Sequence, residues 1–195
     1  EHCDKFLSDR EITLICPECG QETKGDQCDA CLHVPTGAEL MTGNCIDCKS
    51  KVVERENKVL YLALSKFQKE IEEHTEKVKH EWRINAQNET LKYLKQGLLD
   101  RAVTRDLTWG VDIPLPGYEE KKMYVWIEAV LGYLTTTIDF CERNNLNYEN
   151  WWKNDKNDIM YMVHGKDNIT FHSIIFPGLL LSLKDDYKLP DMIVS

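Results

Sequence analysis

The sequence runs to 195 residues, 42% apolar and 29% charged, with a formal net charge of -9. That is an ordinary soluble mixture, and the negative charge argues against a broad phosphate-binding surface. No apolar run approaches the roughly 18 residues of a membrane span, and the opening Glu1-His2-Cys3-Asp4 lacks a secretory-signal pattern.

Residues 1 to about 54 read as knuckle and turn material. Seven of the eight cysteines fall in the first 48 residues. Cys16-Pro17-Glu18-Cys19 and Cys28-Asp29-Ala30-Cys31 are two C-x-x-C pairs, and Gly20, Gly25 and Asp26 supply turns between them. Each pair brings two thiolates to one ion from a tight turn, and two pairs close a tetrahedral all-sulfur shell, the chemistry of a structural zinc in a reducing, cytoplasmic compartment. Cys45-Ile46-Asp47-Cys48 is a third pair that needs partners. Cys3 is one candidate; His2 is another, though its adjacency to Cys3 makes poor geometry. A cysteine just before Glu1 would instead complete a fourth knuckle.

Val52-Val53 and Val59-Leu60-Tyr61-Leu62 predict short strands around a turn at Glu56-Asn57. Ser65 is predicted to open a helix with Gln68 three residues on, as in a capping box, and Phe67, Ile71, Val78 and Trp82 share one face. A second helix is predicted over about 86 to 98. Together residues 55–100 form a strand-and-helix connector.

From about 101 to 195 the pattern becomes strand, turn, helix, repeated. Val111 to Leu115 reads as a Pro-punctuated strand, and Met123 to Ile127 as a short strand feeding a helix through Leu131, Leu134, Ile138 and Cys141. Ile159 to Val163 is a buried-type strand that ends at His164-Gly165-Lys166-Asp167 and enters a helix over about 170 to 183, with Pro177 inside it. Met192-Ile193-Val194 starts a last strand. The fold class is therefore α/β, a parallel sheet with helices plus a small zinc-knuckle insertion. Ligands on such sheets sit beyond the carboxyl ends of the strands, which puts Trp126 to Tyr133 and Gly165 to His172 at a binding edge. Arg105-Asp106 reads by itself as a surface pair.

Two runs, Phe6-Leu7-Ser8-Asp9-Arg10 and Cys16 to Cys31 with Gly25-Asp26-Gln27, resemble the knuckle insertion of methionyl-tRNA synthetases. Thr104-Arg105-Asp106-Leu107-Thr108-Trp109-Gly110 resembles a catalytic-domain segment of that family. Tyr124-Val125-Trp126-Ile127-Glu128-Ala129 with Gly132-Tyr133-Leu134 is similar to its methionine-pocket segment, and Gly165 to His172 to its next strand-to-helix turn. Val130 stands where the family often has proline, and Glu128 where it often has aspartate.

The resemblance implies the second half of a Rossmann-like catalytic domain, in an enzyme that joins methionine to ATP, with Mg, and passes it to tRNA. It implies that Trp126, Ala129, Tyr133 and His172 line the methionine pocket, that Arg105 orders the site, and that Gly165 and Asp167 lie beside the adenosine. It also implies one zinc on Cys16, Cys19, Cys28 and Cys31, and a second on Cys3, Cys45, Cys48 and a cysteine preceding Glu1. The family's two ATP-phosphate motifs, of the His-Ile-Gly-His and Lys-Met-Ser-Lys-Ser types, are not found in these residues, so the chain alone is expected to be inactive; its acidic charge leads to the expectation of little nucleic-acid binding.

Residue chemistry agrees with a thioether pocket, since methionine packs well on aromatic rings such as Trp126, Tyr133 and Phe171. Activation is attack by a carboxylate on phosphorus, governed by positioning and charge, so no acid, base or nucleophile is assigned. Two alternatives remain: a zinc-ribbon module that binds a protein partner without catalysis, and a class I synthetase for a branched aliphatic amino acid. The short, knuckle-rich insertion points away from the second.

Overall fold

The computed structural model describes residue 3 and residues 5–31, 33–153 and 158–195. It divides into two compact units, residues 1–58 and 59–195, and none of its described helices is long and apolar enough to cross a membrane.

The first unit is built on β1 (Ile12–Ile15), the middle strand of a three-stranded antiparallel sheet. Its neighbours are β2 (Glu22–Lys24), with Leu14 opposite Thr23, and β3 (Asn44–Cys45), with Ile12 opposite Cys45. Alternation along β1 buries Ile12 and Leu14 and leaves Ile15 in solvent. A short helix, α1 (Gly37–Leu40), is opened by Thr36, whose hydroxyl accepts from the Glu39 N–H while the Glu39 carboxylate accepts from the Thr36 N–H.

The second unit begins with β4 (Tyr61–Leu62). It does not belong to a ladder around Glu56-Asn57; its partner is β5 (Arg101–Ala102), antiparallel. The helix predicted at Ser65 starts later, because Leu64–Phe67 forms a tighter 3-10 turn before α2 (Gln68–Val78). Both the N–H and the hydroxyl of Ser65 donate to Asp100, at 3.0 and 2.7 Å, so Ser65 and Gln68 make no capping box. Gln68 instead ties α2 to α3 (Ile84–Gln96): its amide donates to the Leu94 carbonyl at 3.0 Å and accepts from the Leu98 N–H at 2.7 Å.

β6 (Thr104–Arg105) and β7 (Lys122–Met123) pair antiparallel, Arg105 opposite Lys122. The Val111–Leu115 stretch contributes only a bridge between Asp112 and Lys122. The strand predicted over Met123–Ile127 ends at Met123, and α4 (Val125–Arg143) begins two residues later. A run of five apolar residues fits either period, and here tertiary packing decides: Ile127, Val130, Leu134 and Cys141 form one buried face of α4.

α5 (Glu149–Trp152) precedes β8 (Tyr161–Val163). A turn at Lys166–Asn168 then leads to a single π-helical turn, Phe171–Ile175, and to α6 (Phe176–Ser182). Pro177 is thus accepted at the start of α6, where the wide turn before it absorbs the missing N–H and the ring. The chain returns in β9 (Met192–Val194), parallel to β8 with Met162 opposite Ile193. This is the parallel pairing among the described residues, which therefore form a mixed α/β arrangement of small sheets and no larger parallel sheet. Phe176, Leu64, Ile71, Leu180 and Ile193, all fully buried, centre the core.

Candidate metal centre and amino-acid pocket

Cys16 and Cys19 flank the turn after β1, and Cys28 and Cys31 form the next knuckle. Their sulfurs all lie within 4.8 Å of one another, with Cys16 to Cys31 and Cys19 to Cys28 both at 3.6 Å. Four sulfurs each about 2.3 Å from a central zinc would stand ~3.8 Å apart. The set therefore has the size of a tetrahedral ion shell, and all of its cysteines are free of disulfides. The backbone shapes each knuckle: Gly20, at φ +72°, donates its N–H to the Cys16 carbonyl at 2.9 Å, and Cys28 N–H donates to the His33 carbonyl at 2.8 Å. The N–H groups of Cys31 and Ala30 favour the Cys28 thiolate, lowering that thiol to about 6.

The third knuckle repeats the design. Lys49, at φ +58°, donates its N–H to the Cys45 carbonyl at 3.0 Å, where the first knuckle uses glycine. The Cys3 sulfur stands 3.8 Å from that of Cys45 and 3.4 Å from that of Cys48. The Ser50 N–H and Cys3 lower the Cys48 thiol to about 6. Cys3, Cys45 and Cys48 thus make a three-sulfur group able to hold an ion. His2, the other candidate ligand, lies outside the described residues.

In the second unit, α4 carries Trp126, Ala129 and Tyr133 along the flank of its buried stripe, about a quarter-turn round the helix, and all three are exposed. Trp126 meets Phe171 of the π turn, their ring centroids 5.4 Å apart. The Tyr133 hydroxyl lies 2.9 Å from Nε2 of the buried His172. His172 Nδ1 is 2.9 Å from the Asn168 carbonyl, which can only accept. In the neutral ring Nδ1 therefore carries the proton, Nε2 accepts, and the Tyr133 hydroxyl donates. Burial moves His172 below the usual histidine range; the Asn168 bond opposes it, and the charge of His164 adds a smaller push downward. An open cleft of about 850 Å³ runs from Ala129, Gly132 and Tyr133 along β8 toward Trp152, large enough for an amino-acid side chain.

Arg105 stands at the start of α4. Its guanidinium carbon is 4.2 Å above the ring of Tyr124, and Nη1 donates to the carbonyls of Ala102 at 3.2 Å and Thr104 at 2.9 Å. It does not pair with Asp106 as its sequence position suggests; Asp106 accepts from the buried Lys121 at 2.5 Å. Gly165 and Asp167 sit exposed at the carboxyl end of β8, and a Cβ on Gly165 would meet no atom within 4 Å. His164, stacked on His172, was not singled out by the sequence reading. The available signal was a histidine on each side of the Gly165-Lys166-Asp167 turn.

The family model described as "tRNA synthetases class I (M)" matches residues 1–195. The chain belongs to that family. It is 46% identical over 193 residues to methionine–tRNA ligase 1 of Alkaliphilus oremlandii, covering 99% of this chain and 35% of that protein. It is 47% identical, over an alignment of 197 positions, to the methionine–tRNA ligase of Bacillus mycoides, covering 100% and 36%. The chain thus spans about a third of the length of these relatives. A Mycobacterium tuberculosis methionyl-tRNA synthetase bound by methionyl-adenylate matches in fold, at TM-score 0.58 and 24% identity over 78% of this chain and 29% of that one.

Proposed function

We propose that these residues form the methionine pocket and zinc knuckles of a methionine–tRNA ligase, which activates methionine with ATP and Mg and transfers it to tRNA in the cytoplasm. The observation that carries the reading is the aromatic cluster at the head of α4: the Trp126–Phe171 contact beside the Tyr133–His172 hydrogen bond. Rings pack on the thioether, and the neutral Tyr133–His172 pair presents polarity without charge. Arg105 braces Tyr124 and hence the entry to α4, while Gly165 lets a nucleoside approach the backbone and Asp167 lies beside it. Residues 1–54 act as the knuckle insertion, 55–100 as a connector, and 101–195 as the second half of a Rossmann-like domain.

Cys16, Cys19, Cys28 and Cys31 would hold one zinc through four thiolates, leaving no open position, so its role is to fix the knuckles. Cys3, Cys45 and Cys48 would contribute three thiolates to a second. The motifs that stabilise ATP phosphates are not among these residues, so the 195-residue chain alone does not support methionine-dependent ATP–pyrophosphate exchange.

Trp126→Ala in the full-length polypeptide should raise the methionine KM at least tenfold, because a large stacking surface is lost. An unchanged KM in a folded variant would remove the pocket and favour a knuckle module that binds a protein partner.

A further inference from the structure

The imidazole of His164, the last residue before the Gly165-Lys166-Asp167 turn, lies almost parallel to that of His172, with centroids 4.1 Å apart and planes 14° apart. The residue is held through main chain and ring. Its backbone N–H donates to the Val194 carbonyl of β9 at 3.1 Å, and Nδ1 is 3.0 Å from the Gly165 carbonyl. That carbonyl can only accept, so Nδ1 carries the proton and Nε2 is left as a bare acceptor. Nε2 is buried and has no hydrogen-bond partner. The stack therefore joins β8, β9 and the π turn to the one polar pair of the proposed pocket.

We propose that His164 is a positioning residue for methionine recognition: its ring, stacked on His172, fixes the plane of that imidazole with Nε2 toward Tyr133. The inference rests on the methionine-pocket reading and adds to it a residue that lies behind the pocket wall. The Asn168 and Tyr133 bonds hold the two nitrogens of His172; the stack adds a contact over the ring face, so a tilt that lengthens the Tyr133 bond also opens the stack. On the described side chains, the flat surface against that face is His164.

The same stack opposes charge. A proton on His172 would set a cation inside the stack, where burial already disfavours it. The titratable group facing the pair from α4 is Tyr133. The turn contributes Lys166 and Asp167, both exposed, and β9 contributes none. The charge that acts on His172 is that of His164. As pH falls, His172 gains a proton at Nε2, the Tyr133 hydroxyl can no longer donate there, and a charged ring stands beside the apolar thioether. Methionine binding is therefore present above the His172 titration and lost below it.

The test is the pH profile of the methionine KM, measured by ATP–pyrophosphate exchange on the full-length polypeptide with His164→Ala, His164→Phe and Trp126→Ala. His164→Ala removes the stack and should raise KM roughly three- to tenfold at neutral pH, the loss falling on KM rather than kcat. His164→Phe keeps a flat ring and removes the electrostatic push of His164 on His172, so its acid limb should move to higher pH. A structural role alone would not move that limb. The inference is overturned if both His164 variants, folded by their melting curves, keep the parent KM and pH profile while Trp126→Ala raises KM. If Trp126→Ala also leaves KM unchanged, the pocket reading itself has failed.

Discussion

Among the described residues of the first unit, the buried aliphatic side chains are Ile12, Leu14 and Val52, beside a buried Pro35 and three buried cysteines. The second unit buries Leu64, Ile71, Trp82, Ile127, Leu134, Phe176, Leu180 and Ile193 in one cluster, with Trp152 edge-on to Phe176 at 6.1 Å. Three aliphatic side chains, each worth about 1.5–3 kcal/mol, are too small a core to order knuckles of this length. The first unit must draw its order from the seven cysteines at its turns, and the second from packing. The contrast shows in the glycines and turns as well. The knuckles need particular backbone angles around each cysteine, whereas the second unit needs particular volumes.

The sharpest way to break that contrast is to remove the proposed metal. Cys16→Ser takes one ligand from a shell whose binding free energy, ~10–16 kcal/mol in small zinc modules, is also folding free energy. We expect the β1–β3 sheet to lose its hydrogen-exchange protection in this variant, and in the parent chain treated with a strong chelator, while the core around Phe176 keeps its protection. Zinc content should fall by one ion per chain. If the sheet stays protected in both cases, the three aliphatic residues suffice and the first unit resembles the second.

A smaller effect probes the packed unit. A Cβ on Gly178 of α6 would overlap Cδ1 of Leu64, itself 1% exposed and without room to turn toward solvent. Ordinary helix propensity favours alanine over glycine by about 1 kcal/mol, but overpacking costs ~1–3 kcal/mol, so Gly178→Ala should lower the urea midpoint of the second unit. A rise instead would show that this part of the core can give way.

The two units were also unequally legible in the sequence. Zinc ligation has a fixed grammar, so the spacing of Cys16, Cys19, Cys28 and Cys31 sufficed to bring four sulfurs together on paper. Helical stripes were nearly as clear, because Ile71 and Leu94 mark faces of helices that run three turns or more. The short strands were not. β4 and β5 are two residues each and separated by both helices of the connector, so no local pattern could pair Tyr61 with Ala102. Met123 to Ile127 carries β-branched and aromatic residues and reads as a strand, yet its last three residues start α4. In the proposed pocket, the residue types of Trp126, Tyr133 and His172 were visible, but the stacked His164 depends on the return of β9, and only the fold supplies that.

The smallest expected effect has the opposite sign. Gly132 lies in the middle of α4, where glycine weakens a helix by about 1 kcal/mol relative to alanine. Unlike Gly178, it has no described atom within 4 Å of where a Cβ would stand. Gly132→Ala should therefore raise the urea midpoint of the second unit, by about 1 kcal/mol at most. Gly132 also borders the cleft beside Ala129 and Tyr133, so the added methyl should weaken methionine while it strengthens the helix. A local rule broken without a packing reason inside the chain is the pattern expected at a binding surface. If the variant is more stable and its methionine KM is unaltered, Gly132 has no part in the pocket, and the cleft along β8 serves something other than the amino acid.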